Sequence, residues 1–240
     1  MKIGVLAAGI TPDELLDKHG SYADMVINLL KTTDEPFEFE TFDVRLDDFP
    51  TDLESFDGWA ITGSKSNVSE NLPWMGKLKN IILHAKEHGQ PMVGICFGHQ
   101  IIADALGGKV DRFDGGWGIG LHDYAITGDW DFVPSSMSGF AINAVHQDQV
   151  VEKPESAQLL ATSEFCANAG LVYEGFAITL QAHPEFSIDY EQDLIEVRKG
   201  NTFPEQLSND AIDDLKLESS KTDSLEVAKW LGQFLVNNKK

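Results

Sequence analysis

Residues 91–100 read "PMVGICFGHQ". The apolar run Met92, Val93 and Ile95 has the composition of a short buried strand, and it stops at Cys96. Glycines stand two residues before and two after the cysteine, at Gly94 and Gly98, and the helix-like stretch "HQIIADALGG" (99–108) follows. A nucleophile placed where a strand turns sharply into a helix is pushed out above the sheet, and such a turn closes only when its neighbours are very small. The helix that begins there directs unpaired N–H groups at the thiol, which favours negative charge on it. The same groups can stabilise an oxyanion formed when a carbonyl is attacked. A lone cysteine at a strand end is more often a small buried core residue, so the elbow needs a general base to become a site.

Working outward, strands and helices alternate on either side. "KIGVLAA" (2–8) precedes "SYADMVINLLK" (21–31), in which Ser21 and Asp24 form a capping-box pattern and Met25, Val26, Leu29 and Leu30 share a face. "FEFETFDV" (37–44) and "GWAIT" (58–62) are strand candidates, and "PWMGKLKNIILHAKEHG" (73–89) is a helix opened by Pro73 and closed by Gly89. This order implies an α/β three-layer sandwich with a mixed, largely parallel central sheet flanked by helices. From about Lys109 to Leu180 the chain is richer in strands and turns, which predicts an antiparallel extension of the same sheet. Three helical segments follow from residue 187. In the last, Val227, Trp230, Leu231, Phe234 and Leu235 fall at helical spacing and are expected to dock on the chain's own sheet. The expectation is a single domain over 1–240, with a core at about 40–190 and a C-terminal helical extension at about 188–240.

Composition narrows the functions. With 39 acidic and 18 basic residues the formal net charge is −21, which disfavours nucleic acid and anionic membranes as partners. Two cysteines make no disulfide framework, and the short apolar start reads as a first strand, so a cytoplasmic location is expected. "GGWGIG" (115–120) lacks dinucleotide-loop spacing, and His84 and His88 lack the remainder of a zinc motif. Neither a cofactor nor a metal is therefore expected.

The base is supplied by "QAHPEF" (181–186). His183 ends a strand-like run and Pro184 keeps it extended, so Glu185, two residues on, shares its face. Glu185 can then take the His183 Nδ1 proton and aim Nε2 at a thiol. His146 and His99 are the alternative bases.

Together, "GICFGHQ" and "HPE" resemble the class I glutamine amidotransferase family, in particular its GMP-synthetase-like branch, over roughly residues 40–190. The resemblance implies a flavodoxin-like core. It also implies a cysteinyl thioester formed from the glutamine side-chain amide, with release of ammonia. Carried over, Cys96 is the nucleophile, His183 the base and acid, and Glu185 the orienting carboxylate. "AITGSKSNV" (60–68) stands where the family has a Gly-rich oxyanion strand, usually Ser-Gly-Gly-Pro; here it is Thr62-Gly63-Ser64-Lys65. The backbone N–H groups of Gly63, Ser64 and Phe97 would form the oxyanion hole. "AVHQDQVVEKP" (144–154) resembles the family's His-x-Asp-x-Val segment. By that resemblance Asp148 receives the substrate α-ammonium and Gln100 borders the substrate amide.

No P-loop and no Ser-Gly-Gly-x-Asp-Ser motif is present, so the chain carries no ATP-dependent synthetase sequence of that kind. Three functions remain open. The chain could be a glutaminase that hands ammonia to a synthetase or acceptor subunit. It could be a partner-independent hydrolase of γ-glutamyl amides or peptides. The third reading, an inactive binding module, conflicts with an intact Cys96, His183 and Glu185.

Overall fold

The strand ending at Cys96 lies in the middle of a nine-stranded sheet, with the first strand of the chain two positions away. The computed structural model describes residues 1–239. In chain order the elements are β1 (Lys2–Leu6), α1 (Asp13–His19), α2 (Tyr22–Leu30), β2 (Glu38–Phe42), β3 (Gly58–Ile61), α3 (Pro73–His88), β4 (Met92–Ile95) and α4 (Phe97–Ala105). There follow β5 (Lys109–Arg112), β6 (Gly118–Ile126), β7 (Gly139–His146), β8 (Asp148–Glu152), β9 (Ala157–Thr162), β10 (Gly170–Tyr173) and β11 (Ala177–Leu180), then α5 (Ile188–Arg198), α6 (Glu205–Leu215) and α7 (Ser224–Asn237).

The sheet order is β2-β1-β3-β4-β11-β10-β9-β6-β7. The first five strands are parallel and the rest antiparallel. This is the mixed, largely parallel sheet expected from the alternation, with the antiparallel extension supplied by the middle of the chain. Two details differ. β5 and β8 leave the main sheet and pair only with each other. The core also reaches beyond 40–190, because β1 lies between β2 and β3 and is buried from Ile3 onward.

Local chemistry explains the helix boundaries. Ser21 caps α2, its Oγ accepting from the Asp24 N–H at 3.1 Å while its own N–H donates to Asp24 Oδ2 at 2.9 Å. Pro73 occupies the first turn of α3, where a missing N–H costs nothing, and Gly89 in the left-handed region ends it. α1 was not foreseen from the sequence. It buries only Leu15, so it leaves no apolar stripe to read.

The last helix packs as its stripe requires. Val227, Trp230, Leu231, Phe234 and Leu235 are all buried, in the same cluster as Val26, Leu29 and Leu30 of α2 and Val93 and Ile95 of β4. Phe140 meets the Trp230 ring edge-on, with centroids 5.3 Å apart. No helix of the described residues is long and apolar enough to cross a membrane.

Candidate active site

Three neighbouring parallel strands, β3, β4 and β11, end on the same side of the sheet, and the segments leaving them converge. In open α/β sheets this carboxyl edge is where ligands bind. Each strand delivers one expected part: Gly63 and Ser64 after β3, Cys96 after β4, and His183 after β11.

Cys96 has φ 51° and ψ −100°, a backbone conformation seldom adopted by a residue with a side chain. Its N–H donates to Leu180 O at 2.8 Å, tying the elbow to β11. The flanking glycines are explained by contact. A Cβ on Gly98 would collide with the Ile61 carbonyl oxygen of β3, and one on Gly94 would lie 2.8 Å from the Gly98 backbone. The two glycines let α4 sit directly against β3 and β4, and this close seating presses Cys96 into its strained turn.

His183 is 3% exposed, and its Nδ1 lies 2.7 Å from Glu185 Oε1. The contact read from "HPE" is therefore present, although the segment is a turn, with the Phe186 N–H donating to His183 O at 3.3 Å, and not the extended run expected. Burial alone would lower the His183 pKa, but the Glu185 carboxylate and the Cys96 sulfur outweigh it and hold the pKa well above the usual histidine value. The Phe186 ring stacks on the imidazole, with centroids 4.0 Å apart and planes 5° from parallel. Asn143 on β7 holds the loop at both ends: its carbonyl accepts the His183 N–H at 2.7 Å and its Nδ2 donates to Phe186 O at 2.9 Å. Gly63 fills the space beside both groups, since a Cβ there would sit 2.8 Å from His183 Cε1 and 3.6 Å from Cys96 Cβ. Among the hydrogen bonds of the described residues, the N–H groups of Gly63, Ser64 and Phe97 have no acceptor.

Cys96, Ser64, Gln100 and Asp148 all line one cleft of about 450 Å³. Gln100 is largely committed to the protein, its Nε2 donating to Asp148 O at 2.9 Å and Gln181 Oε1 at 3.1 Å. Asp148 is not a free carboxylate. Its Oδ1 is 3.4 Å from Arg112 Nε. With the Asn67 amide turned so that its nitrogen donates, that nitrogen meets Asp148 Oδ2 at 2.7 Å while its oxygen takes the Arg112 Nη2 at 3.3 Å. The cleft therefore carries a carboxylate and a guanidinium side by side.

The alternative bases are engaged elsewhere or weakened by burial. His99 has a partner that the sequence did not suggest, Thr179 Oγ1 at 2.8 Å, and burial lowers its pKa to about 3. His146 lines the cleft with both ring nitrogens unpartnered, and burial likewise brings its pKa to about 3. Cys166 is fully buried, and burial pushes its thiol up to about 12. His84 and His88 stack on each other along α3.

Several residues at the site were not singled out from the sequence. Gln181, whose Nε2 is 3.7 Å from the Cys96 sulfur, directly follows β11 and stands two residues before His183, so its place in "QAHPEF" could have drawn attention to it. Phe186 belongs to the "QAHPEF" motif itself, but nothing in the sequence marked it as the ring's stacking partner; Asn143, Arg112 and Asn67 had no such signal, because they come from distant segments and meet only in the fold.

With this geometry in place, comparison with known proteins decides the family. The sequence profile of the family "Glutamine amidotransferase class-I" matches residues 14–197. The chain belongs to this family. A glutamine amidotransferase-like protein of Schizosaccharomyces pombe is 31% identical over 98% of both chains. Gamma-glutamyl peptidase 4 of Arabidopsis thaliana is 34% identical, covering 78% of this chain and 77% of its own. A glutamine-hydrolysing GMP synthase chain of Archaeoglobus fulgidus is 29% identical over 61% of this chain and 79% of its own. Among solved structures, a glutamine amidotransferase from Thermotoga maritima superposes with a TM-score of 0.75 at 22% identity, covering 98% of this chain and 96% of its own. That likeness bears on the fold alone. The fold described above is thus shared with that glutamine amidotransferase, and γ-glutamyl peptidases are among the sequence relatives.

Proposed function

We propose that the protein hydrolyses γ-glutamyl amides through a thioester on Cys96, with His183 and Glu185 as the other two members of a triad. The observation that carries this reading is the strained Cys96 elbow set beside an imidazole that is buried, bonded to Glu185 and held above the usual histidine pKa by the Glu185 carboxylate and the Cys96 sulfur. With the thiol proton held on His183, sulfur attacks the amide carbon. The oxyanion forms toward the N–H groups of Gly63, Ser64 and Phe97. The C–N bond then breaks and the His183 proton leaves on the amine. Water attacks the thioester and gives one proton to His183; the C–S bond breaks, releasing a glutamate-type acid and returning sulfur to Cys96 with the proton again on His183. At the other end of the substrate, Asp148 and Arg112 match an α-ammonium and an α-carboxylate respectively.

Hydrolysis without a partner is the reading we place first. The resemblance to a γ-glutamyl peptidase is higher and spans more of the chain than that to the GMP synthase relative. Delivery of ammonia to a synthetase or acceptor subunit is the second reading, supported by the GMP synthase relative. Steady-state turnover of glutamine and of γ-glutamyl peptides by the purified chain separates them. A kcat on the order of 1 s⁻¹ or more without a partner supports hydrolysis. Rapid labelling of Cys96 by an electrophilic glutamine analogue with negligible turnover supports a missing partner.

A further inference from the structure

The charge of the active cleft is opposite to that of the chain. Of 57 charged side chains, 39 are acidic and 18 basic, yet the cleft is lined by Lys65, Arg112 and Arg198 against one carboxylate, Asp148. The other sizeable clefts carry acids and no lysine or arginine. A −21 molecule that gathers three cations around its nucleophile has a local field unlike its global one.

The three cations differ in their state. Arg112 is paired with Asp148, so together they present no net charge and suit the zwitterionic end of a glutamyl group. Lys65 and Arg198 have no carboxylate partner among the described residues. Lys65 is exposed and follows Ser64 directly, in the loop that leaves β3 beside the thiol. Arg198 is half-buried at the C-terminal end of α5, where its carbonyl accepts the Thr202 N–H at 2.9 Å and its guanidinium lies 5.9 Å from the Phe203 ring centre. Glutamine is neutral overall, and the Asp148–Arg112 pair already answers both charges of its α-end. Two cations remain that glutamine does not use.

We propose that Lys65 and Arg198 form a carboxylate-recognising subsite for the leaving group. The preferred substrate is then a γ-glutamyl amino acid or peptide with a free carboxylate, in place of glutamine itself. This rests on the hydrolase reading above, and it makes Lys65 and Arg198 specificity-determining residues. The recognition is short-ranged, because the global negative charge repels the same substrates at a distance.

The test compares kcat/KM for γ-glutamylglycine with that for γ-glutamylmethylamide, which shares the scissile bond and lacks the carboxylate. The wild-type ratio is expected to be about ten or more. The double variant Lys65→Ala/Arg198→Ala should bring it toward one, the size expected for two partly solvated ion pairs. Lys65→Arg in the wild-type background should keep the preference, and raising ionic strength should shrink it. Stoichiometric labelling of Cys96 by an electrophilic glutamine analogue shows that each variant retains a folded site. Equal turnover of the two substrates by the wild type, or an unaltered ratio in the double variant, would overturn the subsite and leave the hydrolase reading standing. Turnover of neither substrate, despite Cys96 labelling, would overturn the hydrolase reading and the subsite with it.

Discussion

Glu191 offers a quantitative handle on this fold. It sits in the first turn of α5, fully buried, with Oε1 accepting the Gly120 N–H of β6 at 3.0 Å and Oε2 without a partner. Burial raises its pKa to about 8; the Gly120 N–H, His183 and Arg198 act in the opposite direction, and Glu185 adds slightly to the rise. In the unfolded chain the same group titrates near 4.5. An acid whose pKa is raised on folding gives its full stability below the unfolded value and loses it as pH climbs to the folded one. At pH 7 the group is protonated when folded and ionised when unfolded. The interval of about two and a half pH units, at about 1.4 kcal/mol each, makes a cost of about 3 kcal/mol. At pH 5 the cost is below about 1 kcal/mol. Glu191→Gln keeps an acceptor for the Gly120 N–H and cannot ionise. Relative to wild type, it should gain about 2–3 kcal/mol of stability between pH 5 and pH 7 and somewhat more by pH 9. Denaturant unfolding of both proteins at pH 5, 7 and 9 measures this directly. Stability profiles that run parallel across the range would show that Glu191 is not held neutral in the fold, and the reasoning would fail.

Other predictions follow from the site. An electrophilic glutamine analogue should modify one thiol per chain, with Cys96→Ala abolishing the reaction, because burial holds Cys166 protonated up to about 12; equal labelling of both cysteines would contradict the assignment. His183→Ala should remove nearly all thioester chemistry, whereas Glu185→Ala should retain a measurable part, since Phe186 and Asn143 still position the ring. Because the His183 pKa is raised, kcat/KM should persist through neutral pH and fall on the alkaline side, and Glu185→Gln should shift that fall to lower pH; a limb unmoved by the substitution would show that another group sets it. Asp148→Asn should chiefly raise KM, by about 1.5–3 kcal/mol in binding, and a substrate without an α-amino group should be insensitive to it. If that substrate suffers the same loss, Asp148 acts through the structure of the cleft.

How far the sequence foretold this arrangement depends on the range over which each signal acts. The capping box at Ser21, the bounds of α3 at Pro73 and Gly89, and the amphipathic stripe of α7 are local, and each lies where its residues placed it. The glycines around Cys96 were legible as a tight turn, though what they avoid, the Ile61 carbonyl on a neighbouring strand, was not. His183 and Glu185 meet as their spacing of two suggested, but across a tight turn closed by the Phe186 N–H on His183 O and not by strand alternation. By contrast, Asn143, Arg112 and Asn67 reach the site from the far strand of the sheet, the β5–β8 ribbon and the loop after β3. Nothing in their immediate neighbours signals that convergence. The departure of β5 and β8 from the main sheet is hidden for the same reason, since strand composition says that a segment is extended and not which edge it joins.

The Cys96 dihedrals set chemistry and folding against each other at one residue. A positive φ is costly for any residue with a Cβ and free for glycine. In conformational terms alone, the best residue at position 96 is one that can do no catalysis. Loss of the thiol to glycine would relax the backbone and leave the sheet and α4 undisturbed, so drift away from activity runs downhill in stability at this position. A cysteine found there is a residue the fold tolerates and does not need. On the proposed reading, the strain at the elbow is what the backbone gives up to present a thiol there, whichever amide the cleft accepts.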